Sequence, residues 1–137
     1  MRFLLDTNVL SEFSKDTPDP NVAGWVQANQ PHLYTSTISM GELEYGIAIL
    51  PDGKRKRALV DWLKRTNRIM EGKVFSFNLT TAYVWADMRA RLHRDGYRLP
   101  FYDGMIAAIA KRYGLTVATR NTKDFEAVGV PVFNPSQ

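Results

Sequence analysis

The sequence predicts an α/β protein in which a central, mainly parallel five-stranded sheet lies between two layers of helices. Short apolar runs typical of strands alternate along the chain with longer amphipathic patterns typical of helices. Because helices separate consecutive strands, neighbouring strands are expected to pair in parallel, and a parallel sheet is normally covered on both faces. These two observations predict a three-layer α/β/α architecture.

The predicted strands are the apolar runs at residues 2–6, 33–36, 74–77, 115–119 and 130–133. The helical patterns between them cover residues 7–14, 20–29, 39–49, 54–70, 80–96, 102–113 and 122–127. The pattern at 54–70 is clear, because Leu59, Trp62, Leu63 and Ile69 recur at steps of three, four or a multiple of them among charged residues. At 80–96 the closing Gly96 is a typical helix terminator. No repeat or linker interrupts residues 1–137, so we expect one domain.

Composition narrows the class of protein. The 137 residues include no cysteine, which excludes a disulfide framework and thiolate metal sites. No stretch approaches the roughly 20 apolar residues of a membrane-spanning helix, and the N-terminus lacks the layout of a signal peptide. A cytoplasmic protein without a membrane partner is therefore expected.

Positive charge is concentrated in the middle of the chain. Residues 54–98 contain twelve Lys and Arg against four acids, whereas the rest contains six against ten. This distribution suits a protein that attracts a polyanion with one surface, although a pair of solvated basic helices would give the same count. In the second half of this stretch, the residues expected to follow an RNA backbone are Arg89, Arg91, Arg94 and Arg98.

Four acids lie next to predicted strand ends or helix starts. Asp6 ends the first strand, Glu42 follows the strand at 33–36, Asp103 opens the helix at 102–113, and Asp124 follows the strand at 115–119. In open parallel sheets, binding sites form in the crevice outside the carboxyl ends of the strands. All four acids are therefore expected in or just before the first turn of a helix, at comparable places beside the sheet; their spacing alone does not decide whether they converge.

Helix capping explains each acid equally well when it is considered alone. Asp6 fits an N-cap, Ser39-x-x-Glu42 matches a capping box, and Asp103 and Asp124 suit the positive end of a helix dipole. Capping does not require the four acids to converge. If they do converge, their repulsion requires either raised pKa values or a neutralising cation, and oxygen ligands select a hard ion such as Mg²⁺ or Mn²⁺. Such an ion can activate water against a phosphodiester.

Four blocks of sequence resemble one known family. "FLLDTNVLSE", "TSTISMGELEYGI", "YDGMIAAIAKRYGL" and "ATRNTKDFEAVGVPVFNP" occur in the order found in PIN-domain ribonucleases, and specifically in VapC-type toxins of toxin–antitoxin pairs. The resemblance implies a PIN-like fold and a Mg²⁺- or Mn²⁺-dependent endoribonuclease. It also implies a small antitoxin that neutralises the site, and a homodimer or higher oligomer.

The same resemblance assigns residues. Asp6, Glu42, Asp103 and Asp124 match the carboxylates with which the family holds metal and cleaves RNA, and Thr7, Asn8, Thr119 and Asn121 match polar neighbours that help to place them. Gly104 departs from the bulkier residue of many relatives, and we expect it to loosen the start of its helix slightly.

Two other functions fit parts of the sequence. A phosphohydrolase could use Asp6 as a covalent nucleophile, but its usual signature has a second Asp two residues later, where this chain has Asn8. A non-catalytic RNA- or protein-binding module could use the basic middle and keep the acids as helix caps. Metal dependence distinguishes the nuclease from this module, because caps do not need a cation.

Overall fold

The computed structural model describes all residues 1–137 as five strands, seven α-helices and two short 3₁₀ turns. The strands are β1 (Phe3–Leu5), β2 (Leu33–Ser36), β3 (Val74–Phe75), β4 (Thr116–Ala118) and β5 (Val132–Phe133). The helices are α1 (Thr7–Leu10), α2 (Pro20–Asn29), α3 (Thr37–Ala48), α4 (Lys54–Ile69), α5 (Leu79–Arg94), α6 (Phe101–Tyr113) and α7 (Thr122–Ala127), with 3₁₀ turns at Ser11–Ser14 and Gln30–His32. The order and type of the predicted elements are confirmed.

All five strands lie in one sheet in the order β3-β2-β1-β4-β5, and every neighbouring pair is parallel. The expected mainly parallel sheet is therefore parallel throughout. The strand β2 covers the predicted residues 33–36, whereas the other four strands are shorter than predicted, at two or three residues. No helix is both long and apolar enough to cross a membrane.

Two apolar cores lie on opposite faces of the sheet. In β1, Leu4 packs into the core built largely from α6, whereas Phe3 and Leu5 pack into the other core, which includes residues of α1, α2, α3 and α4. This alternation follows from the two-residue period of a strand. Because β1 is buried on both faces, the residue that follows it is held rigidly at the edge of the sheet.

Gly104 is a packing requirement of α6, contrary to our expectation that it loosens the helix start. It is buried, and a Cβ atom at this position would lie 2.8 Å from Leu99 Cδ2 and 3.2 Å from Trp85 Nε1. A distance of 2.8 Å is shorter than real Cβ contacts allow. Because Gly104 has no side chain, Leu99 and the Trp85 side chain of α5 can approach α6 closely.

Candidate active site

The crevice lies outside the carboxyl ends of β1 and β4, where the chain leaves these two strands towards opposite faces of the sheet. These strands are neighbours, yet the helix after β1 packs on one face of the sheet and α7, after β4, packs on the other. Such a topological switch point leaves an open crevice at the strand ends. Asp6 and Thr119 are the first residues beyond the two strands, and Thr119 Oγ1 donates a 2.8 Å hydrogen bond to Asp6 Oδ2 across it.

Asp6 is a buried acid and also caps a helix. Its Oδ1 accepts a 2.7 Å hydrogen bond from the Thr7 backbone N–H, and its Oδ2 is approached by Asn8 Nδ2 at 3.4 Å. Burial raises the pKa of Asp6 above its ordinary value, although the hydrogen bonds from Thr119 and Thr7 oppose that rise. Capping and a functional role are thus compatible for Asp6, since only part of its acceptor capacity serves α1.

Glu42 comes from the middle of α3, not from its first turn. The helix begins at Thr37, two residues earlier than predicted, and Ser36 is its N-cap, accepting a 3.1 Å hydrogen bond from the Ser39 N–H. The Ser39–Glu42 capping box is therefore wrong. Glu42 instead accepts a 2.7 Å hydrogen bond from Thr7 Oγ1, and burial together with the charge of Asp6 raises its pKa.

Asp103 lies in the first turn of α6, as predicted, and its pKa is the most informative in the crevice. Burial raises the pKa of this carboxyl group to about 7, and the charges of Asp6, Asp124 and Glu42 contribute to that rise. Only groups that lie near one another interact in this way. The four acids predicted from the sequence therefore converge on one crevice.

Asp124 has the opposite electrostatic environment. It lies in the first turn of α7, where Tyr97 Oη donates a 2.7 Å hydrogen bond to Oδ1 and Asn121 Nδ2 donates a 3.1 Å hydrogen bond to Oδ2. These hydrogen bonds lower the pKa of Asp124, and the one from Tyr97 has the largest effect. Asn121 Nδ2 also lies 3.4 Å from Asp103 Oδ2, so this amide bridges the two carboxylates.

The four polar neighbours predicted from the sequence all contact the acids or one another. Thr7 bridges Asp6 and Glu42, and Asn121 bridges Asp103 and Asp124. Asn8 Nδ2 donates a 3.2 Å hydrogen bond to Thr119 Oγ1, which in turn accepts one of 3.0 Å from the Asn121 N–H. No three Asp, Glu or His side chains lie close enough as they stand to enclose a metal ion. The acids line the crevice individually, linked by these polar side chains.

Tyr97 is a site residue that the sequence interpretation missed. It follows Gly96, whose φ of 77° is left-handed, and its backbone N–H bonds to Leu92 O at 2.9 Å while the Gly96 N–H bonds to His93 O at 3.0 Å. This is a Schellman motif, in which the residue after the glycine is turned back towards the preceding helix. The Asp95-Gly96-Tyr97 sequence contained that signal, but not the direction in which the Tyr97 hydroxyl would point.

Glu12 is a second residue that the sequence analysis did not predict, and it stabilises a loop beside the crevice. This acid is only 3% exposed, and it pairs with Arg120 at 2.7 Å and with Lys15 at 2.8 Å. The hydrogen bond with Lys15 and one from the Asp19 N–H are the main causes that lower its pKa to about 2. Arg120 lies between Thr119 and Asn121, so its ion pair with Glu12 stabilises the loop that carries both.

The predicted basic residues separate into two groups. Arg89, Arg94 and Arg98 line a groove beside Tyr97, whereas Arg91 is absent from its lining and pairs with Asp87 at 3.1 Å, one turn away on α5. The structure therefore gives Arg91 a different environment from the other three.

The fold and the crevice together define a class of protein: a doubly wound parallel α/β domain with a carboxylate-lined crevice at the switch point of its sheet. The family model of the PIN domain matches residues 3–131. The chain belongs to the PIN-domain family, and within it to the VapC type. The expected family and fold are thereby confirmed.

Three relatives match almost the whole chain, each over 96% of both sequences. The chain is 42% identical to the plasmid stability protein StbB of Pseudomonas syringae pv. tomato. It is 39% identical to the VapC ribonuclease Y4jK of Sinorhizobium fredii and 38% identical to the toxin FitB of Neisseria gonorrhoeae.

Solved structures show the same fold. The chain superposes on a structure of FitAB bound to a DNA fragment with a TM-score of 0.91 at 35% identity, covering 98% of this chain and 96% of that one. For FitAcB from Neisseria gonorrhoeae the TM-score is 0.89 at 38% identity, with 97% of each chain covered. A toxin-antitoxin complex from Klebsiella pneumoniae gives 0.65 at 27% identity, with 96% of each chain covered.

Proposed function

We propose that this protein is a metal-dependent endoribonuclease and the toxin of a toxin–antitoxin pair. The observation that carries the proposal is that Asp6, Glu42, Asp103 and Asp124 line one crevice, linked through the side chains of Thr7, Thr119 and Asn121. A VapC ribonuclease and a protein named as a toxin are relatives at 39% and 38% identity over nearly the full chain.

The residues present fit a hard divalent cation, Mg²⁺ or Mn²⁺. Asp6, Glu42, Asp103 and Asp124 offer only oxygen ligands. Burial is the main cause that raises the pKa values of the first three, and neighbouring carboxylates add to the rise for Glu42 and Asp103, so a cation in the crevice would favour their ionised forms. The ion would supply an activated water and charge stabilisation at the phosphodiester.

Each acid has a role that follows from its surroundings. Asp6 is rigid, because it ends a buried strand and accepts hydrogen bonds from Thr7 and Thr119. Asp124 is kept ionised by Tyr97, whereas Asp103 exchanges a proton near neutral pH and is the acid best placed to gain or lose charge. Thr7, Asn8, Thr119 and Asn121 orient these carboxylates.

The antitoxin has a suitable groove, whose lining includes Leu5, the residue directly before Asp6. A cavity of about 560 Å³ between α2, α4 and the residues after β1 is lined by Leu10, Phe13, Val26, Trp62 and Ile69, and Arg65 and Lys73 also line it. Ile69 is 73% exposed, although it continues the apolar face of α4. An amphipathic segment with acidic flanks would bury this face.

Binding of the antitoxin to this groove can be tested by the growth of cells that express the protein. Expression of the protein should arrest growth, and co-expression of the small protein encoded beside its gene should restore growth. Ile69→Glu should prevent that rescue while leaving growth arrest intact, because Ile69 lies outside the crevice. Rescue of the Ile69→Glu variant would remove this groove from the interface.

The homodimer remains a proposal that rests on exposed apolar side chains. Tyr45 and Ile49 at the end of α3, and Leu79 and Tyr83 in α5, are each about two-thirds exposed. Large exposed apolar side chains of this kind are typical of surfaces that a second protein chain covers. Sedimentation velocity should show a dimer, and Tyr83→Arg should give a monomer; a monomeric wild-type protein would contradict this assignment.

One cleavage experiment tests the activity. The purified protein is incubated with 5′-labelled RNA in Mg²⁺ or Mn²⁺, with a chelator, and as the Asp6→Asn variant. The matched control is Asp61→Asn, an exposed acid of α4. Discrete cuts should appear with the wild-type protein and with the control, and should disappear with the chelator and with Asp6→Asn.

The ends of the products test the mechanism. Attack by water leaves a 5′-phosphate and a 3′-hydroxyl, whereas attack by the ribose leaves a 2′,3′-cyclic phosphate. Cyclic ends would exclude the water mechanism even if RNA is cut. Absence of both cleavage and divalent-metal binding would instead favour the non-catalytic module, with Asp6 acting only as the cap of α1.

A further inference from the structure

A second groove adjoins the crevice. It lies between the C-terminal half of α5, the following turn and the start of α6, has a volume of about 860 Å³, and is lined by Trp85, Arg89, Arg94, Tyr97, Arg98 and Phe101 among others. Three arginines and no acid line it, and none of the three forms an ion pair within the chain. The groove is therefore suited to an anionic ligand.

Aromatic rings organise the cationic lining. The Arg89 guanidinium lies 4.5 Å from the centroid of the Phe101 ring and 4.9 Å from that of Trp85. These contacts hold the charge of Arg89 in place. Phe101 and the adjacent Tyr102 are each 57% exposed, so ring surface remains free beside the arginines. Charge next to exposed aromatic rings is the combination that binds single-stranded nucleic acids.

The groove is continuous with the carboxylates. Tyr97 lines the groove and its hydroxyl bonds to Asp124, while Phe101 lies half a turn before Asp103 on α6. A single strand of nucleic acid whose phosphodiester reaches the acids would pass over Tyr97 and Phe101. The opposite charges of groove and crevice suit one ligand, because phosphates are drawn to the arginines while a cation would mediate their contact with the acids.

We propose that this groove binds the single-stranded segment of RNA next to the bond that is cleaved. Arg94 and Arg98 contact backbone phosphates, and one base stacks on the exposed ring of Phe101. The proposal rests on the proposed function, since it extends the path of the same substrate. It also gives the arginines of α5 different roles, because Arg89 and Arg94 line the groove whereas Arg91 pairs with Asp87 outside it.

Binding is measured apart from cleavage. Fluorescence anisotropy of a labelled single-stranded RNA is followed with the Asp6→Asn protein in chelator, over a series of salt concentrations. Each lost phosphate contact on a single strand lowers the slope of log K against log salt by about 0.7, so Arg94→Ala with Arg98→Ala should lower it by about 1.4. Arg91→Ala, which removes one positive charge of α5 outside the groove, should leave the slope unchanged.

The stacked base has a separate test. Phe101→Leu should weaken single-stranded RNA binding by about 5-fold or more, whereas Phe101→Tyr should retain it, because only the latter preserves a ring. Binding of heparin, a polyanion without bases, should be insensitive to both changes. Thermal unfolding should give each variant a melting temperature close to that of the wild-type protein, because the substituted residues are exposed.

The outcomes separate this inference from the proposed function. If wild-type protein cleaves RNA with metal but the Arg94 and Arg98 variants bind as it does, the groove assignment fails and the nuclease stands. An Arg91→Ala effect equal to theirs would indicate diffuse attraction and overturn the groove. Dissociation of a dimer by the Arg94 and Arg98 changes would identify the groove as a subunit contact and also overturn it. Absence of RNA cleavage by the wild type contradicts the proposed function itself.

Discussion

The Tyr97 hydroxyl donates a 2.7 Å hydrogen bond to Asp124, and this contact separates the behaviour of two neighbouring carboxylates. It is the main cause that lowers the pKa of Asp124, whereas burial and surrounding negative charge raise that of Asp103 to about 7. At neutral pH, therefore, Asp124 is an anion and Asp103 is close to half protonated. Pairs of acids whose pKa values are shifted in opposite directions are frequent in catalytic sites.

Tyr97→Phe should lower the rate of RNA cleavage about tenfold, the cost of losing one hydrogen bond to a charged group. The ring is kept, so the melting temperature should change little. Tyr102→Phe is the control, because the Tyr102 hydroxyl makes no hydrogen bond within the chain and the residue is exposed on α6. Equal rates for the two variants would show that the Tyr97 hydroxyl has no role in placing Asp124.

Asp103→Asn should abolish most activity and yet stabilise the metal-free protein above pH 7. The folded pKa of about 7 lies above the ordinary 3.8, so the folded protein binds more protons between these values and loses stability as pH rises from about 4 to 7. Removing this ionisation should raise the free energy of unfolding at pH 8 by about 1–2 kcal/mol, a figure reduced for partial exposure.

The stability prediction is checked by denaturant unfolding at pH 4 and pH 8 in the presence of chelator. The gain from Asp103→Asn should be largest at pH 8 and close to zero at pH 4, where the wild-type carboxyl group is protonated. A loss of stability at pH 8 would mean that Asp103 makes favourable contacts as an anion, contrary to its environment here.

Cleavage by the wild-type protein should increase as pH rises through about 7. A carboxyl group must lose its proton before it can bind a cation, so proton and metal compete at Asp103. Higher metal concentration should therefore move the midpoint of the rate profile to lower pH. Rates measured between pH 5.5 and 8.5 at two Mg²⁺ concentrations test this, and a midpoint independent of metal would exclude the competition.

Gly104→Ala should destabilise the fold by about 1–3 kcal/mol, the usual cost of an extra methyl group in a packed interior. The new Cβ would meet the side chains of Leu99 and Trp85, which also hold the start of α6 and hence Asp103. Gly46→Ala on α3 is the control, because a Cβ there meets nothing within 4 Å and should be neutral or slightly stabilising. Thermal unfolding distinguishes the two outcomes.

Much of the architecture could be predicted because local patterns determine it. The apolar runs and amphipathic periods predicted every strand and helix in order, and Gly96 correctly marked the end of α5. The start of α3 was misplaced because Ser36 and Ser39 are both plausible caps in sequence. Which of them caps the helix depends on where β2 stops pairing.

The sequence by itself predicted the four acids and correctly placed Asp6, Asp103 and Asp124 at a strand end or a helix start, since motif and periodicity are local properties; Glu42 lies in the middle of α3 instead. Only the tertiary structure decided how those acids interact. The pKa of Asp103 depends on burial and on the charges of Asp6, Glu42 and Asp124, all distant in sequence, and the hydrogen bond from Tyr97 to Asp124 spans 27 positions. Gly104 was misjudged for the same reason, because its importance lies in contacts with Leu99 and Trp85. Electrostatic coupling and packing act through space, so they follow from the fold rather than from neighbours along the chain.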